Sequence, residues 1–323
     1  MSVPWHTRAR RRLRSAAIGA LVRLLSGASL GWALSFGAAL GRLAFRFAGA
    51  TRRQMLANLA RAFPEKPLQE RESIARAALV HLCQCALEVV AVRSYDDRLE
   101  EYVTIAGDGE ALLRERVAQG RGLIFVTGHV GNWELLARRI GRAGVPNAAI
   151  ARRGHDERVN ALIERFRGAG GVTTLWRDDP STGRALIRTF REGRALGILI
   201  DQDTRVQGVF VPFFGRLAFT PRAVGDLALR FGAPVVVGFC RRAGDRPGHV
   251  LELTEVTYNP TPSDPEMEVR RITLECSRIL EAAIRAHPSE WVWMHDRWKT
   301  RPASAGEEPQ ANPMPKTGEM TGS

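Results

Sequence analysis

Gly122-Leu123-Ile124-Phe125-Val126-Thr127-Gly128-His129-Val130-Gly131-Asn132-Trp133-Glu134-Leu135-Leu136 reads as a strand, a turn and the opening of a helix. Residues 122–127 are apolar and β-branched enough for a buried strand, while Leu135, Leu136 and Ile140 continue at helical spacing. A strand-to-helix turn of a parallel sheet projects side chains into a cleft at the carboxyl end of the strands. His129 stands in that turn, and Glu134 follows five positions later. The two are read as a general base that takes a proton from an alcohol and the group that holds the imidazole in one tautomer. Gly128 and Gly131 are read as letting the backbone pass close to a ligand, and the amides opening the helix as facing a developing oxyanion. Taken alone, the pair also fits a structural His at a turn beside a surface Glu.

Strand-like and helix-like segments alternate on both sides of this unit. Residues 148–151, 172–175, 195–200, 234–239 and 250–253 have strand character; residues 158–168, 181–192, 221–231 and 267–286 have helical spacing. This alternation predicts an α/β fold, a mostly parallel sheet flanked by helices on both faces. Residues 209–214 contain Pro212 and read more as loop than strand. Ahead of the alternation, Met55, Leu59 and Phe63 mark a basic helix with Asn58 inside it, and residues 67–92 supply another with His81 on its apolar face. His81 is read as a core or surface histidine.

A chain of 323 residues can bury one large core, and no Pro/Gly/Ser-rich linker divides it. The domain reading is a basic and apolar membrane-attachment segment at 1–50, a catalytic domain at 51–302 and a disordered tail at 303–323. Lys and Arg number 47 against 34 Asp and Glu, a net charge of +13, which calls for an anionic partner. RNA-binding signatures and zinc-finger spacings are absent, so the expected partner is an anionic membrane and not nucleic acid. Residues 24–41 contain no charged residue, but Ser26, Gly27, Ser29, Gly31, Ser35 and Gly37 dilute the run. Arg8 to Arg14 on one side and Arg42, Arg46, Arg52 and Arg53 on the other favour a helix in or dipping into the cytoplasmic leaflet. The four cysteines show neither metal-binding spacing nor a disulfide framework.

Five blocks in order, from Arg42 to Pro302, carry a resemblance: His129 with Glu134; Arg152 in Ala149-Ile150-Ala151-Arg152-Arg153; Gly197-Ile198-Leu199-Ile200-Asp201-Gln202-Asp203 followed by residues 208–215; Gly232-Ala233-Pro234-Val235-Val236; and His287-Pro288-Ser289-Glu290-Trp291-Val292-Trp293-Met294-His295-Asp296-Arg297-Trp298-Lys299. In these the chain resembles the late acyltransferases of lipid A biosynthesis, the lauroyl and myristoyl transferases within the lysophospholipid acyltransferase superfamily. The resemblance implies a glycerolipid acyltransferase-like fold and transfer of a fatty acyl group from a thioester to a hydroxyl of a lipid A precursor. It also implies work at the cytoplasmic face of the bacterial inner membrane, with acyl carrier protein or acyl-CoA as donor, an anionic glycolipid as acceptor, and neither cofactor nor metal.

Within that frame His129 is the expected base and Glu134 its orienter. No Gly-x-Ser-x-Gly elbow occurs, which suits direct attack by the acceptor without an acyl-enzyme. Arg152 is expected to bind a phosphate or polarise the thioester through its planar fork, with Arg153 the alternate. Asp201 and Asp203 are read either as turn-forming carboxylates or as positioning Arg152 or a sugar hydroxyl. Phe213 and Phe214 belong to a stretch that suits the wall of an acyl-chain channel, or ordinary core packing. Trp291, Trp293 and Trp298 suit either a membrane-interface cluster or a buried carboxy-terminal anchor. The rival functions are an acyltransferase using acyl-CoA or a different glycolipid or lysophospholipid, a thioesterase in which His129 activates water, and a non-catalytic basic membrane or nucleic-acid binding protein.

Overall fold

In the computed structural model, residues 27–302 are described apart from positions 155 and 245; the expectations for Arg8 to Arg14 and for the tail 303–323 lie outside the described residues. Three helices lead: α1 (Leu30–Phe47), α2 (Gly49–Ala62) and α3 (Leu68–Val90), followed by the short α4 (Leu99–Tyr102). Strands and helices then alternate through β1 (Val103–Ile105), α5 (Gly109–Ala118), β2 (Leu123–Thr127), α6 (Trp133–Arg142), β3 (Asn147–Ala151), α7 (Glu157–Ala169), β4 (Val172–Trp176), α8 (Thr182–Arg191) and β5 (Ala195–Leu199). A hairpin of β6 (Gly208–Phe213) and β7 (Arg216–Pro221) comes next, then α9 (Ala223–Phe231), β8 (Val235–Arg242), β9 (His249–Val256) and α10 (Pro265–Ala286).

The main sheet has the order β1-β9-β8-β2-β5-β3-β4. Strands β8, β2, β5, β3 and β4 run parallel, and β9, antiparallel to β8, turns the far edge over together with β1. Burial on both faces explains why β2 is an unbroken apolar run. Its side chains still divide by the period of two: Ile124 and Val126 join one core cluster with residues of α9 and α10, while Leu123 and Phe125 join the other with Leu135, Leu136 and Ile140 of α6. The mostly parallel sheet between two helical layers is the architecture the alternation predicts.

Of residues 209–214, read as loop, 209–213 belong to strand β6 in a separate two-stranded sheet with β7. Pro212 is tolerated because a two-stranded ribbon leaves edges open. The turn, Phe214-Gly215, has positive φ at both residues, 51° and 69°, which matches a type I′ hairpin turn. Phe214 is an unusual occupant of that conformation; its N–H donates to Glu281 Oε2 at 2.6 Å, and its ring is held among Phe63, Phe213, Trp293 and Trp298.

Small residues decide how α1 sits. Ala33, Gly37 and Gly41 recur every four positions on its buried face, which lies against α3. A Cβ on Gly41 would stand 2.5 Å from the Cα of Val80, and one on Gly37 would stand 2.9 Å from the Cα of Gln84. The glycines that dilute the hydrophobicity of this segment are therefore what lets two helix backbones approach closely. Helix α3 is long and apolar enough by length and composition to cross a membrane. In this fold it is packed between α1 and the carboxy-terminal segment, and it carries the fully buried Glu88. Its His81 is buried, lies 3.2 Å from Cys85 Sγ, and is pushed down to a pKa of about 3 by burial, helped by Arg242.

Gly41→Val is expected to force α1 off α3. Denaturant unfolding should show a loss of about 1–3 kcal/mol, the usual range for overpacking, together with new protease sensitivity in α1. Gly31→Ala, where a Cβ meets nothing within 4 Å, should show neither.

Candidate active site

Strand register brings the central pair together. β2 and β5 are parallel neighbours with Thr127 opposite Leu199, so residues two positions beyond each strand, His129 and Asp201, face one another. His129 Nδ1 lies 2.8 Å from Asp201 Oδ1, and the His129 backbone N–H donates to Asp201 Oδ2 at 2.7 Å. Trp291 Nε1 donates to the same Oδ2 at 2.8 Å. Asp201 is 1% exposed, whereas about a fifth of the His129 side chain reaches solvent. Burial pushes the Asp201 carboxyl up, but the His129 imidazole and the hydrogen bonds from His129 and Trp291 outweigh it and hold the pKa at about 2. A carboxylate on Nδ1 places that proton between the two groups and leaves Nε2 as the acceptor nitrogen, 3.4 Å from the Gln202 amide nitrogen. Trp133 packs edge-on against the imidazole, with ring centroids 4.9 Å apart.

Glu134 is not the partner of His129. Sitting in the first turn of α6, it points toward α7 and takes both arms of Arg167, at 2.9 Å from Nε and 2.6 Å from Nη2. A carboxylate at a helix amino terminus and a guanidinium in the last turn of another helix complement both helix dipoles, which favours this pairing. The carboxylate bound to His129 is that of Asp201. The turn's glycines also serve a purpose other than ligand approach. A Cβ on Gly131, at φ +64°, would stand 2.0 Å from the carbonyl oxygen of Cys240, and one on Gly128 would stand 2.6 Å from Leu280 and 3.1 Å from Asp201. Both let the turn close onto its own protein neighbours.

The turn's amides are largely spent. Gly131 N–H donates to the Glu290 carbonyl at 2.9 Å, Asn132 N–H to the Cys240 carbonyl at 2.8 Å, and Leu135 N–H to Asn132 Oδ1 at 3.2 Å. With the His129 amide on Asp201, these four N–H groups are not free to meet an oxyanion.

The remaining residues separate. Asp203 is buried away from Arg152: it accepts from Thr300 N–H at 2.7 Å and Thr300 Oγ1 at 2.9 Å, and its own N–H donates to His295 Nε2 at 3.0 Å, clamping the carboxy-terminal segment. Burial lowers the His295 pKa, consistent with a neutral ring that accepts this bond. Arg153 is committed, its guanidinium 5.4 Å from the centre of the Trp176 ring and 3.7 Å from Asp179. Arg152, at the end of β3 on the same sheet edge as His129, is exposed and makes no ion pair among the described residues. Phe213 and Phe214, 0% and 5% exposed, pack against Trp291, Trp293 and Trp298, which are themselves buried. The tryptophans thus form an internal anchor, not a surface cluster, and the two phenylalanines present little surface to a channel.

A family model of bacterial lipid A biosynthesis acyltransferases matches residues 5–300 of this chain. The chain belongs to that family. It is similar to the lipid A biosynthesis lauroyltransferase of Escherichia coli (strain K12), 27% identical over 269 residues that cover 82% of this chain and 85% of the relative. It is also similar to the lipid A biosynthesis palmitoleoyltransferase of the same organism, 25% identical with 78% and 80% covered. A phosphatidylinositol mannoside acyltransferase of Mycolicibacterium smegmatis (strain ATCC 700084 / mc(2)155) is 24% identical with 76% and 79% covered. The protein is an acyltransferase, and the family supports acyl transfer to lipid A.

In this acyltransferase a second buried carboxylate supports the His129 turn from behind. Glu88 of α3 accepts from Tyr102 Oη at 2.6 Å, Arg242 Nη1 at 2.8 Å and Asn132 Nδ2 at 2.9 Å, and lies 3.1 Å from His249 Nε2. Burial pushes its carboxyl up, but His249, Arg242 and Tyr102 hold it well below the ordinary carboxylate range. Asn132 joins this network to the first turn of α6, so the residues flanking His129 are tied on two sides. Sequence reading missed Trp291 and Arg167 as the partners of Asp201 and Glu134. One signal was available for the central pair: both residues follow their strands by two positions, so adjacency of the strands implies contact.

Asp201→Asn is expected to lower turnover on the order of 10,000-fold, the size of effect when the carboxylate behind a catalytic imidazole becomes an amide. The folded pKa of Asp201 is depressed from 3.8 to about 2, so its ionised form stabilises the fold above pH 3.8 and that contribution is lost as pH falls toward 2. Glu134→Gln should act mainly on stability, since it removes the charge that pairs with the half-buried Arg167, at a cost of about 1–3 kcal/mol. Comparing turnover per folded molecule for the two variants, with denaturation at neutral and acid pH, tests both assignments.

Proposed function

We propose that this acyltransferase moves a fatty acyl chain from the thioester of acyl carrier protein to a hydroxyl of a lipid A precursor, with His129 as general base and Asp201 behind it. The single observation that carries the reading is a partly exposed imidazole whose Nδ1 is bound to a buried carboxylate, in a chain of this family. Nε2 takes the proton of the acceptor hydroxyl as its oxygen attacks the thioester carbonyl. Asp201, ionised throughout, stabilises the imidazolium that forms. Collapse of the tetrahedral intermediate breaks the C–S bond, and the imidazolium returns its proton to the departing thiolate. The ester, the carrier thiol and the starting protonation state of His129 account for every atom. Arg152 supplies a free guanidinium at the same edge and is assigned to a phosphate of the acceptor.

Helix α1 is assigned to the membrane. Trp32, Leu40, Leu43 and Phe47 are exposed on the side away from α3, with Arg42 and Arg46 beside them. An apolar stripe with flanking arginines suits a helix lying in an anionic leaflet, here the cytoplasmic face of the inner membrane. A second acceptor class, a mannosylated inositol lipid, is favoured by the comparable likeness to the mycobacterial relative.

Purified protein with acylated carrier and a lipid A precursor should give a product heavier by one acyl group, and His129→Ala should lower that rate by roughly 100- to 10,000-fold. Release of free fatty acid without ester product would replace this reading with a thioesterase. Transfer to a phosphatidylinositol mannoside and not to the lipid A precursor would replace the acceptor.

A further inference from the structure

Between α8 and α9, on the sheet face opposite α6, runs a groove of about 620 Å³ lined by Gly183, Arg184, Ile187, Leu227, Arg230 and Phe231. Its apolar members are half-buried, and arginine stands on both walls. Arg184 continues along α8 into Arg188 and Arg191, spaced four and three residues apart and so sharing one helix face. All three are exposed, and none of them, nor Arg230, makes an ion pair among the described residues; Arg230 rests over the Phe231 ring instead.

We propose that this groove docks an acidic amphipathic helix of the protein that carries the acyl thioester, and so names the donor surface of the reaction proposed above, on which it rests. An apolar ridge of such a helix would fill the floor over Ile187 and Leu227, and its carboxylates would meet Arg184, Arg188, Arg191 and Arg230. Charge complementarity of this kind sets partner choice and encounter rate. A bilayer is a poorer occupant. It offers no ridge to fill a groove, and the large apolar side chains that are exposed lie on α1, α3, β7 and α10, none on α8 or α9. The position also suits delivery. Helix α8 starts just past the carboxyl end of β4, on the sheet edge that holds His129, so the Arg184 end of the groove lies toward that edge and the Arg230 end, close before β8, lies toward the other. A thioester on a long flexible prosthetic arm would reach from the Arg184 end toward His129 while its carrier remains docked outside.

The test uses the full-length protein and two donors with the same acyl group, lauroyl acyl carrier protein and lauroyl-pantetheine. The double variant Arg184→Glu/Arg230→Glu should raise KM for the carrier-borne donor about tenfold or more, leave kcat near wild type, and leave the rate with lauroyl-pantetheine unchanged. Arg270→Glu, an exposed charge on α10, should change neither. An unchanged KM for the carrier in the double variant overturns the proposal. So does an equal loss with both donors, or a loss confined to binding of anionic phosphatidylglycerol vesicles, which would make the groove a lipid surface. Wild-type protein that transfers from neither donor refutes the proposed reaction instead. Direct titration of lauroyl acyl carrier protein against the wild type and the double variant then decides the docking surface by itself, with tighter binding to the wild type supporting it and equal binding overturning it.

Discussion

The Asp201 carboxylate fastens three distant parts of the chain at one point. It holds the turn after β2 through the His129 amide and ring, it belongs to the turn after β5, and it receives the Trp291 indole from the segment after α10. A buried carboxylate without such donors would be protonated; with them it is ionised, and its charge is the reason an imidazole can be held in one orientation beside it. The geometry of the His129–Asp201 pair therefore depends on strand register, since a slip of one residue between β2 and β5 would carry Asp201 to the other face.

The carboxy-terminal segment acts as the strap that completes this arrangement. Asn58 of α2 donates to the carbonyls of Trp293 and His295 at 2.8 and 2.7 Å, and Asp203 grips Thr300. Arg297, 1% exposed, donates to the Phe219 carbonyl and Thr220 Oγ1 of β7 and covers the Phe213 ring. Trp291 is thus delivered to Asp201 by contacts spread over α2, the β5 turn and the hairpin. On the opposite side, Glu88 and Asn132 fix the start of α6. The buried Asn58, Asp203 and Arg297 serve one of these supports and the buried Glu88, Asn132 and His249 the other, which places their cost beside the His129 imidazole.

The strand-turn-helix around His129 was legible because it is local: burial makes β2 continuously apolar, and α6 shows its helical period within a few residues. The alternating pattern likewise contains the mostly parallel sheet. What the sequence did not reveal was decided by long-range contact. Glu134 stands at a plausible spacing from His129, but the direction of a first-turn side chain on α6 and the presence of Arg167 on α7 send it elsewhere. Asp201 is 72 residues from His129, and only adjacency of β2 and β5 makes them partners. The hairpin was hidden because Pro212 argues against a strand unless the strand is an edge, and the turn at Phe214 lacks the usual Asn or Gly at its first position. The tryptophans of residues 291–298 look amphipathic in one dimension, yet His295 and Arg297 among them turn inward to hydrogen bonds with Asp203 and with Phe219 and Thr220. Gly37 and Gly41 looked like dilution of an apolar helix when they are its contact surface.

The central claim is that Asp201, not Glu134, sets the state of His129. The ¹⁵N chemical shifts of the His129 ring above neutral pH, in protein labelled at histidine, report which nitrogen carries the proton. The account predicts a proton on Nδ1 and a bare Nε2, retained in Glu134→Gln and lost or mixed in Asp201→Asn. A ring protonated on Nε2 in the wild type, or one whose tautomer follows Glu134 and ignores Asp201, would contradict it.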